Sequence, residues 1–319
     1  MPKISVVIPA YNNEETIART IASVLNQTFA DFELIIINDG SQDATLDIIN
    51  QFEDARIKVF SYPNQGTSGS RNSGISHSTG EYVSFLDADD IWLPEKLEMQ
   101  LKVLQDNPEA KVAYSWIDYI DENDDFIVSG SHQSFSGEIY EQLLMKNFLE
   151  NGSNPLIQKQ ALLKVGEFDK SVFGSEDWDM WLRLAYKFKF VAVPKVQILY
   201  RIRENSGSCN VTRQEKVCLE VFQRAYILLP CKDQRIWDVS HKNIYKYLTC
   251  KALEKPLNRE KGWIAARCLW NYVKYDSYRL QNISFIFRLF IKIFLIIFLP
   301  NGSPTVILTS FKKMTKSNI

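Results

Sequence analysis

Cysteine is scarce and confined to one end of the chain. There are 5 (Cys209, Cys218, Cys231, Cys250 and Cys268), none in a C-x-x-C pair, and the odd count argues against a secreted disulfide framework. The N-terminus lacks a long apolar stretch with a small-residue cleavage site. Met1-Pro2-Lys3-Ile4 leads straight into a strand-like run, so a cytoplasmic location is expected. Histidine is scarcer still: His77, His132 and His241 are far apart, without the spacing of a histidine metal site. Neither G-x-G-x-x-G nor G-x-x-x-x-G-K-[ST] occurs, which removes the two commonest nucleotide fingerprints. No repeat and no low-complexity segment is present, so solenoid and fibrous classes are excluded.

Net charge is almost absent, at −1 from 37 basic and 38 acidic residues, but this balance hides a division. Up to Cys231 the chain has 21 basic and 33 acidic residues; after it there are 16 basic and 5 acidic. An acidic front argues against a nucleic-acid groove, and a basic back calls for an anionic lipid, a partner or a tail. With 45% hydrophobic and 24% charged residues over 319 positions, the chain can fill one large globular domain or two modest ones.

Short apolar runs alternate with segments of helical period as far as Tyr114. Ile4 to Ile8 is followed by Ile17, Ile21, Val24 and Leu25, then by Leu34 to Ile37, Ile48 and Phe52, and Ile57 to Phe60. A Gly/Ser-rich stretch from Gly66 to Gly80, the run Tyr82 to Leu86 and a Pro94-initiated helix through Leu104 complete the series. This alternation predicts an α/β fold, a Rossmann-like, mostly parallel sheet flanked by helices. Asn12 with Glu15 resembles a capping box for the first helix. Further on come a helix-like Ile139 to Phe148, two strands (Phe190 to Val193 and Val196 to Tyr200) and a helical C-terminal extension.

Open α/β sheets bind ligands at the carboxyl ends of their strands. The residues there are Pro9-Ala10-Tyr11-Asn12, Asn38-Asp39-Gly40-Ser41 and Asp87-Ala88-Asp89-Asp90. Hard carboxylates on a rigid strand end suit Mg²⁺ or Mn²⁺, which use one or two of them and leave other positions to water and phosphates.

In these residues the chain resembles the family 2 glycosyltransferases of the GT-A fold, from Lys3 to about Ser208. Val7-Ile8-Pro9-Ala10-Tyr11-Asn12 looks like that family's opening strand and turn, and Asn38 to Asp43 like its base-recognising turn. Gly66 to Gly74 is similar to its A-R-N-x-G stretch with Ser70 for alanine, Asp87-Ala88-Asp89 to its D-x-D, and Glu176-Asp177-Trp178-Asp179 to its E-D segment. The resemblance implies an inverting enzyme that moves a sugar from a nucleoside-diphosphate donor, UDP-linked by preference, to a hydroxyl of a glycan or lipid-linked acceptor. It implies that Pro9, Ala10 and Tyr11 line the nucleoside pocket, that Asp39 accepts the base imide N–H, and that Arg71 lies near the nucleotide. Asp87 would contact ribose or donor sugar and share with Asp89 a divalent metal, Mn²⁺ or Mg²⁺. Asp177 would be the general base, Glu176 would position hydroxyls, and Trp178 and Trp181 would be sugar platforms. Where the family often has a histidine ligand, this chain has Arg203, which would meet the diphosphate directly.

Plainer roles stand beside these. Asp39 would serve as an ordinary helix cap, Asp177 and Asp179 as first-turn acids, Trp181 as core beside Leu184 and Ala185, and Asp121 to Asp125 as a solvated turn. A nucleotidyltransferase is a second reading, although no Gly-rich phosphate loop follows the first strand; a sugar-nucleotide-binding protein without catalysis is a third. The expected organisation is a catalytic domain over 1–210, with residues 1–114 serving the nucleotide and 115–210 the acceptor. A helical extension over 211–282, an apolar amphipathic helix over 283–299 and a basic tail over 300–319 follow it. Ile283 to Leu299 has only Ser284, Arg288 and Lys292 as non-apolar residues, so it either associates with the inner face of a membrane or is buried in a core or dimer interface.

Overall fold

The first apolar run becomes β1 (Ile4–Ala10), at the centre of a parallel group in which β2 (Phe32–Asn38) and β4 (Tyr82–Phe85) flank it and β3 (Ile57–Ser61) adds to β2. Every residue of β2 is buried, as expected of a strand covered on both faces. The computed structural model describes residues 1–202, 210–254, 257–276 and 283–299. The chain divides into two units, Met1–Arg203 and Glu204–Ile319.

In the first unit the remaining strands are β5 (Ile91–Trp92), β6 (Ala110–Ile120), β7 (Phe126–Ser129), β8 (Leu156–Gln158) and β9 (Lys189–Arg201). They form one sheet in the order β3-β2-β1-β4-β8-β6-β9-β5, with β7 on β6. The sheet is parallel among β1 to β4 and mixed beyond: β8 runs antiparallel to both β4 and β6, whereas β6 and β9 are parallel. The helices are α1 (Ile17–Leu25), α2 (Thr45–Ile49), α3 (Gly66–His77), α4 (Lys96–Asp106), α5 (Tyr140–Met145), α6 (Lys159–Val165) and α7 (Glu176–Lys187), with a short 3₁₀ turn at Lys170–Val172. One core joins β1, β2 and β4 to α1 and α4 through residues such as Val6, Ile8, Ile21, Val24, Leu97 and Leu101.

Two local expectations are corrected. The two strands expected around Pro194 are one, β9, in which Ser115 pairs with Val193 and Trp116 with Val196, so Pro194 and Lys195 fall in a bulge that spares the proline a ladder hydrogen bond. The capping box is absent. Asn12 sits in the turn after β1 at φ 51°, and its Oδ1 accepts from Gln42 N–H at 2.8 Å while α1 begins only at Ile17. The Gly/Ser-rich stretch, to which the sequence pattern assigns no element, is the 12-residue helix α3, fixed by tertiary contacts in place of propensity. A Cβ on Gly74 would collide with Val7 of β1, so the missing side chain lets helix and strand approach.

The described residues of the second unit form α8 (Val211–Tyr226), α9 (Gln234–Ala252), α10 (Arg259–Lys274) and α11 (Ile283–Phe298), packed in sequence order. Asn210, Asp233 and Asn258 each accept from a backbone N–H of the first turn of α8, α9 and α10 respectively, which satisfies donors that a helix start leaves unpaired.

Candidate active site

The turns after β1 and β2 are laced together by polar side chains. Tyr11 N–H donates to Asn13 Oδ1 at 2.9 Å, Asn12 N–H to Ser41 Oγ at 3.2 Å and Asn13 N–H to Thr45 Oγ1 at 2.7 Å. Pro9 and Ala10 close β1, Asp39 N–H donates to Ala10 C=O at 2.8 Å, and Tyr11 is left exposed at the rim. Asp39 itself is buried, and both its oxygens are engaged: Oδ1 accepts from Gln65 N–H at 2.8 Å and Oδ2 from Gly66 N–H at 2.9 Å. It therefore caps a helix, but α3 in place of the α2 that follows it in sequence. Each carboxylate oxygen has a second lone pair, so this cap leaves acceptor capacity for a ligand.

From this cap α3 leads to Arg71, which is buried at the meeting point of three elements. Its Nη2 donates to Asp87 Oδ1 at 2.6 Å after β4, its Nη1 faces Glu176 Oε1 at 3.4 Å at the start of α7, and its guanidinium lies 5.3 Å from the Phe168 ring centroid. Burial works to lower its pKa, but the Asp87 and Glu176 carboxylates outweigh this and raise it, so Arg71 carries a fixed positive charge. Beside it, Asn72 clamps the backbone of Phe168, donating to its C=O at 3.0 Å and accepting from its N–H at 2.8 Å. On the other side is Gly152, where a Cβ would collide with the Arg71 guanidinium. The Ser70-Arg71-Asn72-Ser73-Gly74 motif is thus a packing and charge device in which only Arg71 faces the carboxylates.

Asp87 and Asp89 are partly exposed at the end of β4, and Asp90 beside them is fully buried. Asp90 accepts from Ser153 Oγ and from Asn151 Nδ2 on the loop before β8, and from Arg201 N–H at 3.0 Å at the end of β9. Burial, reinforced by the charges of Asp89 and Asp87, pushes its pKa well up. No sequence signal marks Asp90 as the residue that holds three strand ends together; the adjacent acid pair draws attention away from it. Arg201 supports the same corner, donating through Nε to Asp89 C=O at 2.8 Å and pairing with Asp124, so the loop from Asp121 to Asp125 is tied down as well as solvated.

At the start of α7, Glu176 is buried and accepts from Gly174 N–H. Asp177 accepts from Trp178 N–H at 2.7 Å. Its pKa is raised to about 7, first by burial and then by the charge of Glu176, with Arg71 working in the opposite direction. Asp179 is structural, pairing with Arg183 at 2.8 Å one turn on. The two sugar platforms are corrected: Trp181 is fully buried and packs edge-on against Phe168, and Trp178 is buried with its Nε1 donating to Leu143 C=O at 3.1 Å, so both are core. Arg203 lies outside the described residues.

The geometry thus brings Arg71, Asp87, Glu176 and Asp177 together from three distant stretches of chain. Among the described residues no group of three or more His, Cys, Asp or Glu is disposed to hold a metal. An end formed by Asp87 and Asp89 fits the class of cation that takes one or two carboxylates, with Asp87 dividing its oxygens between that role and Arg71.

Residues 5–252 match the family model described as glycosyltransferase like family 2. The chain is 31% identical over 216 residues to UDP-Glc:alpha-D-GlcNAc-diphosphoundecaprenol beta-1,3-glucosyltransferase WfgD of Escherichia coli, covering 67% of this chain and 82% of that protein. It is 30% identical over 239 residues to the Escherichia coli enzyme WfaP, which bears the same description, covering 72% and 91%. An uncharacterized glycosyltransferase of Rickettsia bellii is 33% identical over 230 residues, but this chain spans only about a third (32%) of its length. In structure, residues 1–349 of S. aureus TarS in complex with UDP-GlcNAc superpose with a TM-score of 0.63 at 17% identity, over 87% of this chain and 82% of that one, which shows a shared fold. The chain belongs to the family 2 glycosyltransferases.

Proposed function

We propose that this glycosyltransferase moves a sugar from a UDP-linked donor to a hydroxyl of a lipid-linked glycan acceptor, with inversion at the anomeric carbon. The observation that carries the chemistry is the pair of acids at the start of α7, one anchored and one poised. Arg71 and Gly174 hold Glu176, whereas Asp177 has its pKa lifted to about 7 by burial and its acidic neighbours. A carboxylate near the working pH is an effective proton acceptor. In a single displacement the acceptor oxygen forms its bond to the anomeric carbon as the bond to the diphosphate breaks, and the hydroxyl proton passes to the Asp177 carboxylate. Arg71, held by Asp87 and Glu176, contributes positive charge beside the departing diphosphate.

A divalent cation at Asp89, when bound, would supply further charge neutralisation to that leaving group. Asp39 supports a uracil or thymine base over cytosine, since a carboxylate only accepts hydrogen bonds and both of those bases offer an imide N3–H. The descriptions of the two Escherichia coli relatives, which name UDP-Glc and a diphosphoundecaprenol-linked GlcNAc, support both donor class and acceptor class. The test is transfer of radiolabelled sugar from a panel of UDP-, dTDP- and GDP-linked donors into membrane lipid extract. Label is expected in the lipid fraction from a UDP-sugar; transfer from GDP-sugars alone, or none from any donor, would overturn the proposal.

A further inference from the structure

Among the described residues of the second unit, part of the apolar surface is left exposed. With about 100° between successive residues of a helix, Ile296, Ile293 and Ile297 occupy one side of α11 and are buried. This side meets α10 at Gly262, where an added Cβ would be 2.9 Å from Ile297 and 3.0 Å from Ile296. A second side of α11 is also apolar. Phe290, Ile283, Phe294, Phe287, Phe298 and Ile291 follow one another within an arc of about 100°, and all are exposed. Ser284, Arg288 and Lys292 continue the sweep along its edge.

A similar surface occurs on α10 with different residues. Arg259, Trp270, Trp263, Lys274 and Arg267 share an arc of about 80°, and all five are exposed. Trp263 and Trp270 are 60% and 73% accessible, unusual for large apolar side chains that would otherwise lie in water. Adjacent helices thus present phenylalanines edged by Arg288, with Lys292 turned to the Leu253 C=O at 3.1 Å, and tryptophans alternating with cations, of which Arg267 is paired with Glu215.

We propose that these faces seat the protein on the surface of an anionic lipid bilayer, with α10 and α11 lying in the headgroup layer. Length argues for lying over spanning: 16 residues make about 24 Å of helix against roughly 30 Å of hydrocarbon. No helix among the described residues is long and apolar enough to cross a membrane. Tryptophan and long cationic side chains favour the membrane interface, where ring and stem are shielded and the polar end stays wet. Charge selects the occupant. The unit Glu204–Ile319 has 19 basic and 8 acidic residues, a net +11, so pairing with a second copy would oppose like charges. The chain's own end, 300–319, has three lysines and no acid, and is repelled for the same reason. An anionic surface is the complementary partner. This inference uses neither the donor nor the acceptor of the transfer reaction, and stands or fails separately from them.

The test uses the full-length chain with vesicles of phosphatidylcholine alone or mixed with phosphatidylglycerol. Flotation with the anionic vesicles is expected, declining as salt is added, together with quenching of tryptophan emission by bromine-labelled acyl chains. The variant Phe287→Glu/Phe294→Glu should reduce the bound fraction at least about tenfold, with transfer to a soluble acceptor analogue unchanged. Trp263→Phe/Trp270→Phe should remove most of the quenching. Quenching of the parent protein requires no variant, so a misfolded variant does not shelter the idea. Absence of flotation and quenching would overturn it, as would binding only after removal of residues 300–319. So would a concentration-dependent dimer that the Phe287/Phe294 variant dissolves, which would assign the face to a second copy.

Discussion

At the end of the site built by the β1 and β2 turns, side chains bond to backbone; at the end built by β4 and α7, charged side chains bond to one another. Asn12, Asn13, Ser41, Thr45 and Asp39 all accept from main-chain N–H groups, which fixes the shape of the turns. Asp87, Glu176 and Asp177 set a balance of charge around the buried guanidinium of Arg71. On the function proposed above, the first plan shapes a surface before ligand arrives, and the second tunes a proton acceptor. Damage to the first should therefore appear mainly as lost ligand affinity, and damage to the second as lost turnover or, where a buried charge loses its partners, as lost stability.

The largest effect is expected from Asp177→Asn, which keeps size and removes basicity: turnover should decline by about 10²- to 10⁴-fold while UDP affinity by calorimetry stays within about twofold. Parental turnover in the purified variant would erase the distinction between the ends. Next is Arg71→Ala, which strands Asp87 and Glu176 without their partner. A loss of about 3–5 kcal/mol in chemical denaturation is expected, and a near-neutral result would show that the cluster is not coupled.

Asp39→Ala sharpens the contrast from the other side. Removing a helix cap should cost about 1–2 kcal/mol and weaken UDP binding more than Mn²⁺ binding, whereas Asp89→Ala should weaken Mn²⁺ binding more. Equal effects of both substitutions on both ligands would contradict the separation. The smallest effect is in pH dependence. Transfer should rise severalfold as Asp177 deprotonates through about pH 7. Stability should move the other way: a carboxyl whose folded pKa is raised from 3.8 contributes fully below that value and loses its contribution as pH rises through about 7. Melting profiles of Asp177→Asn across this window should be flatter than the parent's, and parallel curves would count against the shift.

The strands and their acidic ends are legible in the sequence because burial on both faces demands continuous apolar runs, and a run ends where solvent and ligand begin. Helix α3 is not, since Gly66, Gly69 and Gly74 with four serines form a poor helix on propensity alone. It is held by Asp39, Phe168 and Val7, residues that sequence distance conceals. Motifs identify residues without saying what those residues touch. The family motif puts Arg71 beside the nucleotide, and the fold makes it the hub of the carboxylates; Trp178 and Trp181 have the character of sugar platforms and are core. Helical spacing cannot say which side of α7 looks into the site, because an aromatic stripe serves a core and a sugar equally well. Asp90 is hidden for a different reason: its three partners come from the loop before β8 and the end of β9, more than sixty residues away.

The cap that Asp39 places on α3 has a consequence for engineering. It ties the turn assigned to the base to the helix that supports Arg71, so the two ends of the site share one rigid rod of about 18 Å. A chimera that imports a new turn after β2 from a relative, to change the donor, would also import a new anchor for that rod. Turn and helix start are one module, and exchanges that carry residues 38–43 together with 65–74 should keep turnover where exchanges of the turn alone lose it.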